Sequence, residues 1–245
     1  MSPAQLAALA GRRLRSEARH PPRRATRFFK PWERVFTLGL SSPEIRVLAR
    51  KLGDPVRKFW KLDDAIVFAD LMLRGRTFES RSIGLMVLAK FRRHFDARLL
   101  GHARRWLAAD KLDNWAMTDL LCMEVLGPLL DREPQLALRM RPWTRAKSPW
   151  LRRAAAAALT GPVRHGVALD EAYRTATTLS AAKEDLVHKA TGWMLREAGK
   201  SDQPRLEKWL RKNGQKLPRT ALRYAIEKFP EPKRRHLLLI TSDKV

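Results

Sequence analysis

Arg81, Met117, Arg153 and Lys189 stand 36 residues apart, and each opens a stretch of helical grain: RSIGLMVL, MTDLLCME, RAAAAALT and KATGWMLR. Four positions beyond these markers stand Leu85, Leu121, Ala157 and Trp193, and six beyond stand Val87, Met123, Leu159 and Leu195. A recurring unit of this length restricts the fold more than any single motif does. Paired-helix solenoids of the HEAT kind repeat about every 40 residues. One such pair cannot bury its own apolar face, so stacked pairs share a continuous core and present a curved surface. The alternative is a chance alignment of helices of similar length.

Local signals agree. Ser42-Pro43-Glu44 offers a cap, a first-turn proline and an early acid; Asp54-Pro55 and Ser148-Pro149 repeat the cap-then-proline pattern. Apolar residues then recur at helical spacing, and hairpin turns between alternating strands are missing. Helices are expected over 3–17, 42–52, 55–74, 79–94, 96–108, 112–127, 133–141, 149–159, 168–178, 182–198, 202–212, 217–228 and 232–240. The expected fold is all-α, a curved solenoid of HEAT-like antiparallel helix pairs. Residues 1–35 are read as a basic N-terminal arm with a first helix, and 36–245 as the helical-repeat domain.

Charge bounds the partner. Fifty Lys and Arg face twenty-five Asp and Glu, a formal net charge of +25. Duplex DNA carries one negative charge about every 1.7 Å of axis, which makes nucleic acid the natural counterpart. An anionic membrane usually selects a concentrated amphipathic basic segment, whereas these cations run through the whole chain. Cys122 is the single cysteine, so neither an internal disulfide nor a thiolate zinc cluster is available. The six histidines lack i, i+4 pairing, no apolar run reaches eighteen residues, and the Arg-rich start does not follow the order of a secretory signal. The reading is a monomer without metal or cofactor, cytoplasmic and, in a bacterium, drawn to the nucleoid; an Arg-rich, acid-poor start also fits an organellar transit peptide.

Three segments carry candidate chemistry. In the helix 112–127, Met117, Leu120, Leu121 and Val125 suit a core stripe, while Trp115, Asp119 and Cys122 share a neighbouring face. Aspartate is a poor helix-interior residue, and among so many cations it would repel phosphate. It serves either as a salt-bridge partner for arginine or as a charge directed at a substrate. Trp115 is either a packed ring or the aromatic side of that site. In SPWLRRAAAAAL at 148–159, Arg152 and Arg153 point out near the helix start, either solvated or bridging phosphates. In 183–200, Trp193 fills either core or cleft, Lys189 and Arg196 flank it, and Gly192 suggests a close backbone approach.

Together these segments resemble the HEAT-like-repeat DNA alkylation-repair glycosylases, the AlkD family. The likeness rests on Asn114-Trp115-Ala116-Met117-Thr118-Asp119, on Trp150-Leu151-Arg152-Arg153-Ala154-Ala155, and on Lys183-Glu184 followed by Lys189-Ala190-Thr191-Gly192-Trp193-Met194-Leu195-Arg196-Glu197. With a weaker match over 38–44 it covers roughly residues 28–228. The resemblance implies that Asp119 is the catalytic carboxylate, that Trp115 and Trp193 wall its cleft, and that Arg153 contacts the DNA backbone. Arg152, Lys183, Lys189, Arg196, Lys30 and Arg27 join it as expected DNA contacts. Ala116 stands where relatives often carry a second acid, and Lys30 where an aromatic is expected, a place Phe28, Phe29 or Trp32 can take.

The implied activity is hydrolysis of the N-glycosidic bond of positively charged N3- or N7-alkylated purines in double-stranded DNA, without a base-flipping pocket. Two other readings fit the charge: a catalytically silent HEAT-like scaffold for nucleic acid, and a solenoid for acidic protein partners.

Overall fold

The computed structural model describes residues 1–25, 28–30, 32–33 and 35–241, and among these the fold is all-α. They form two compact units, Met1–Val125 and Leu126–Val245. The first contains α1 (Pro3–Glu17), α2 (Ser42–Val56), α3 (Leu62–Leu73), α4 (Phe78–Ala89), α5 (Arg98–Ala108) and α6 (Trp115–Leu121). Between α1 and α2, strands β1 (Arg23–Arg24) and β2 (Phe36–Thr37) pair antiparallel, Arg23 opposite Thr37 and Arg24 opposite Phe36. Two residues per strand leave no alternation for the sequence to display, which is why this pair was not expected.

In the first unit α1 buries Leu6, Ala10 and Leu14, and it packs on α3. α4 packs on α2, α3 and α6. Gly84 on α4 permits that closeness to α3, since a Cβ there would lie 2.8 Å from the Met72 Cβ. Glu79 is fully buried at the start of α4, where its Oε1 accepts hydrogen bonds from the Thr37 hydroxyl at 2.5 Å and the Leu38 amide at 2.8 Å. A buried carboxylate with these partners fixes the chain leaving β2 to the first turn of α4.

The second unit contains α7 (Gly127–Arg132), a 3₁₀ segment at Pro134–Arg145, α8 (Pro149–Ala157), α9 (Thr160–Arg164), α10 (Leu169–Leu179), α11 (Asp185–Ser201), α12 (Gln203–Asn213), α13 (Arg219–Ala225) and α14 (Glu231–Ile240). Its centre is α11, which packs on α8, α9, α10, α12 and α13. Alanines 154–157 on α8 are buried, and their small side chains let the neighbouring helices approach.

The 36-residue markers fall on α4, α6, α8 and α11. Four positions on, Leu85, Leu121 and Ala157 are buried, while Trp193 is half-buried. Six positions on, Val87, Leu159 and Leu195 are buried and Met123 is 58% exposed. Met123 escapes because the backbone widens into a π-helical turn at Cys122–Leu126, breaking the register just after α6.

Several boundaries differ from the expectation. The cap of α2 is Ser41, whose amide donates to Glu44 Oε2 at 2.7 Å, one residue before the expected Ser42. Pro55 lies inside the last turn of α2 instead of starting a helix, and α3 begins only at Leu62. Asp54 does not cap; it pairs with Lys90 Nζ at 2.5 Å beyond the end of α4. The expected helix 112–127 begins at Trp115 and is interrupted by the π turn. Cys122, expected beside Trp115 and Asp119, is buried, because that face turns into the core at its C-terminal end.

Candidate functional site

In the first unit the start of α6 is fixed from three directions. Asn114, 1% exposed, accepts from the Met117 amide at 3.0 Å, an N-cap that sets the first turn. The Thr118 hydroxyl donates to the Leu112 carbonyl at 3.1 Å, tying the helix back to the loop before it. The third tether comes from far away in sequence. The Trp115 amide donates to Glu33 Oε1 at 3.1 Å, and the other oxygen of that buried carboxylate accepts from the Lys30 amide at 2.8 Å. Acidic charge at a helix N-terminus also meets the positive end of the helix dipole.

Trp115 is half-buried, and its indole Nε1 donates to the Phe28 carbonyl at 3.2 Å. The ring of Phe29 lies 5.8 Å from it, tilted by 32°, and Phe29 in turn meets Phe78 at 6.3 Å. Phe29 is thus the aromatic that packs on Trp115 where Lys30 had left the sequence pattern open; Lys30 itself is exposed. One turn along α6, Asp119 is half-buried, so its side chain remains partly accessible to solvent. Arg27, an expected DNA contact, lies outside the described residues.

The second unit holds the remaining expected site residues on α8, α11 and the turn before α11. Arg153 is buried, 5% exposed, and its guanidinium donates to the Leu186 carbonyl. It therefore braces α8 against the first turn of α11 instead of pointing to solvent, an orientation the helix-start position did not reveal. Arg152 donates to the carbonyls of Ala146 and Lys147, the latter at 2.9 Å, and pairs with Glu184. Lys183 is exposed in the turn before α11.

On α11, Lys189 pairs with Asp185 at 2.8 Å, one turn back. The hydrogen bond it donates to the Asp185 carboxylate holds the Lys189 ammonium above the usual lysine range, so it stays charged at any physiological pH. Trp193 is half-buried, and Arg196 next to it pairs with Glu227 and, at 3.4 Å, with Glu197. Gly192 behaves as its position suggested: an added Cβ would stand 2.4 Å from the Ala221 carbonyl oxygen on α13. That contact sets how closely α11 packs and so how Trp193 is presented.

A further basic surface was not singled out by sequence. Arg46, Arg50 and Lys90 line a cleft of about 420 Å³ on α2 and the end of α4, with Met86 and Glu124. Arg46 reaches Glu124 at 3.7 Å. The signal was available, since Arg46 and Arg50 are i, i+4 on the exposed side of α2. Among the described residues no group of His, Cys, Asp and Glu is arranged to hold a metal, and no helix is long and apolar enough to cross a membrane.

Fold and site define a class: an all-α, strongly basic protein with a half-buried acid beside a tryptophan on a short capped helix. The chain belongs to the DNA alkylation repair enzyme family, whose model matches residues 13–229. Among solved structures it is similar to a predicted DNA alkylation repair enzyme from Enterococcus faecalis, with a TM-score of 0.69 over 93% of this chain and 96% of that one. Sequence identity between the two is 14%, so this likeness is one of fold. No curated protein matches the chain. Family membership places the protein in DNA alkylation repair, with DNA as its partner.

Proposed function

We propose that the protein is a DNA glycosylase that hydrolyses the bond between deoxyribose and an N3- or N7-alkylated purine. The observation that carries this reading is Asp119, a half-buried carboxylate one helical turn from half-buried Trp115, in a chain of net charge +25. An acid so placed opposes phosphate binding. It is explained if positive charge develops beside it.

The chemistry needs little more. An alkylated purine of this kind is cationic, and the electrons of its C1′–N bond neutralise it as it departs. No general acid is required for the leaving group. The sugar becomes oxocarbenium-like, as in glycoside hydrolysis, and water then bonds to C1′ while its proton passes to the carboxylate or to solvent. Asp119 stabilises the sugar cation and orients that water. At 4 Å and an effective dielectric near 20 such a pair is worth roughly 4 kcal/mol, close to three powers of ten in rate. Trp115, one turn from Asp119, supplies an aromatic face that attracts the cation by roughly 0.5–2 kcal/mol.

Arg152, Lys183, Lys189, Arg196, Lys30 and Arg27 are assigned to the sugar–phosphate backbone, the protein acting as a monomer on the duplex, while buried Arg153 braces α8 on α11 and so positions its neighbours. Most enzymes that act on a base extrude it into a snug pocket. Here the lesion is held through its backbone, so bulky alkyl groups are tolerated as long as the purine carries positive charge. The test is to incubate the protein with methylated duplex DNA and analyse the freed bases. Release of 7-methylguanine or 3-methyladenine is expected; binding without release would leave a silent scaffold.

A further inference from the structure

The segment between β1 and β2 presents an unusual surface for a loop. Phe28 is 69% exposed and Trp32 is 67% exposed, two large aromatic side chains a few residues apart. Among the described residues of 21–33, the exposed ionised groups are all cations: Arg23, Arg24 and Lys30. The one acid of this stretch, Glu33, is 1% exposed and committed to the amides of Lys30 and Trp115. The aromatics are therefore offered outward in a positive setting.

The segment is also latched to α6. Three contacts hold it there: the Glu33 carboxylate on the Trp115 amide at 3.1 Å, the indole of Trp115 on the Phe28 carbonyl at 3.2 Å, and the ring of Phe29 against Trp115 at 5.8 Å. At its base, the Ala25 amide donates to the Val35 carbonyl at 2.7 Å, next to the β1–β2 pair. The Glu33 carboxylate reaches 82 residues along the chain, fixing this exposed segment to the start of α6.

We propose that Phe28, Lys30 and Trp32 form a DNA-engaging tip, latched by Glu33 to the helix that carries Asp119, which sets its aromatic side chains between or against the base pairs beside the lesion. Proteins that enter the minor groove commonly drive apolar wedges into a base step while flanking cations hold the phosphates. The occupant is duplex DNA because the flanking charge is positive and the tip is tied to the proposed reaction centre. Glu33 acts as a positioning residue, through Trp115 and the Lys30 amide. The inference rests on the glycosylase reading for its location at the lesion, and on the exposed aromatics for the contact itself.

The test uses the full-length protein and a duplex with one tetrahydrofuran abasic site flanked by 2-aminopurine. Wild type and Asp119→Asn are expected to bind it and raise 2-aminopurine fluorescence, which reports loss of stacking. Phe28→Ala/Trp32→Ala is expected to bind about tenfold more weakly, the loss of one stacked base, and to leave the fluorescence low. Its thermal unfolding should match wild type, since both side chains are largely in solvent. Lys30→Ala should weaken binding and keep the fluorescence change of the bound state. Glu33→Gln should lower the fluorescence change at saturating protein, as a misplaced tip requires.

Wild-type affinity and fluorescence in the double variant overturn the inference. So does a double variant whose only effect is to dissociate a self-associated protein in sedimentation. The two proposals fail separately. If no methylated base is released but the fluorescence response depends on Phe28 and Trp32, the glycosylase reading falls and the tip stands. If release depends on Asp119 while the double variant behaves as wild type, the tip alone falls.

Discussion

Gly192 on α11 faces the Ala221 carbonyl on α13 so closely that an added Cβ would sit 2.4 Å from the oxygen and 2.5 Å from the Tyr224 Cβ. Glycine in a helix interior normally costs roughly 1 kcal/mol against alanine, so Gly192→Ala would gain propensity if space allowed. It does not, and backbone cannot swing aside as a side-chain end can. Gly192→Ala is expected to destabilise the protein by about 1–3 kcal/mol, seen as a lowered midpoint in thermal unfolding. A raised midpoint would mean that α11 and α13 are further apart.

Glu197 supplies a pH signature. Its side chain is 1% exposed and accepts from Arg164 Nε and Lys200 Nζ, each at 2.7 Å. Burial pushes its carboxyl up, but hydrogen bonds from Lys200 and Arg164 outweigh this and hold it below the usual glutamate value. A depressed folded value means stability that is present above the unfolded value, near 4.5, and lost as pH falls through the folded one. Wild type should therefore lose stability progressively on acidification below about pH 5. Glu197→Gln should be less stable at pH 7 by about 1–3 kcal/mol, with the gap closing toward pH 3, measured by denaturant unfolding across that range.

Lys183, exposed in the turn before α11, is assigned a phosphate contact. Lys183→Ala should then weaken binding to lesion and undamaged duplexes alike. The slope of log K against log salt should flatten by about 0.9, the value for one phosphate contact. An unchanged slope would remove Lys183 from the interface.

Trp115 uses both its ring and its nitrogen. Trp115→Phe keeps an aromatic face but loses the donor to the Phe28 carbonyl. A single hydrogen bond of about 0.5–1.5 kcal/mol corresponds to a fall of up to roughly tenfold in base release. Trp115→Ala should cost more, because the Phe29 contact goes as well. Equal rates for the two variants would assign the whole effect to the indole N–H, which both lack, and none to the ring.

The helical architecture was legible because apolar spacing and caps are local. Ser148-Pro149 at α8 and the close approach at Gly192 were readable from neighbouring residues, whereas the start of α6 after Asn114 was expected three residues too early. Pro55 misled because a proline near a cap signal is compatible with both the end of one helix and the start of the next. The π turn at Cys122–Leu126 has no side-chain signature, so the exposure of Met123 and the burial of Cys122 could not be foreseen. Glu33 was missed for a different reason. Its partner is 82 residues distant, and a carboxylate in an Arg-rich arm reads as solvated until the fold brings it to Trp115. Arg153 likewise gave its residue type and helix to the sequence reading but not its bond to Leu186.

The most direct test compares wild type with Asp119→Asn on duplex DNA carrying 7-methylguanine, with enzyme in excess, following release of the base and, separately, affinity for the duplex. The substitution keeps shape and removes charge. Release is expected to fall by roughly three powers of ten with affinity unchanged or slightly improved, since a phosphate-repelling charge is gone. Release at the wild-type rate from Asp119→Asn would contradict the account.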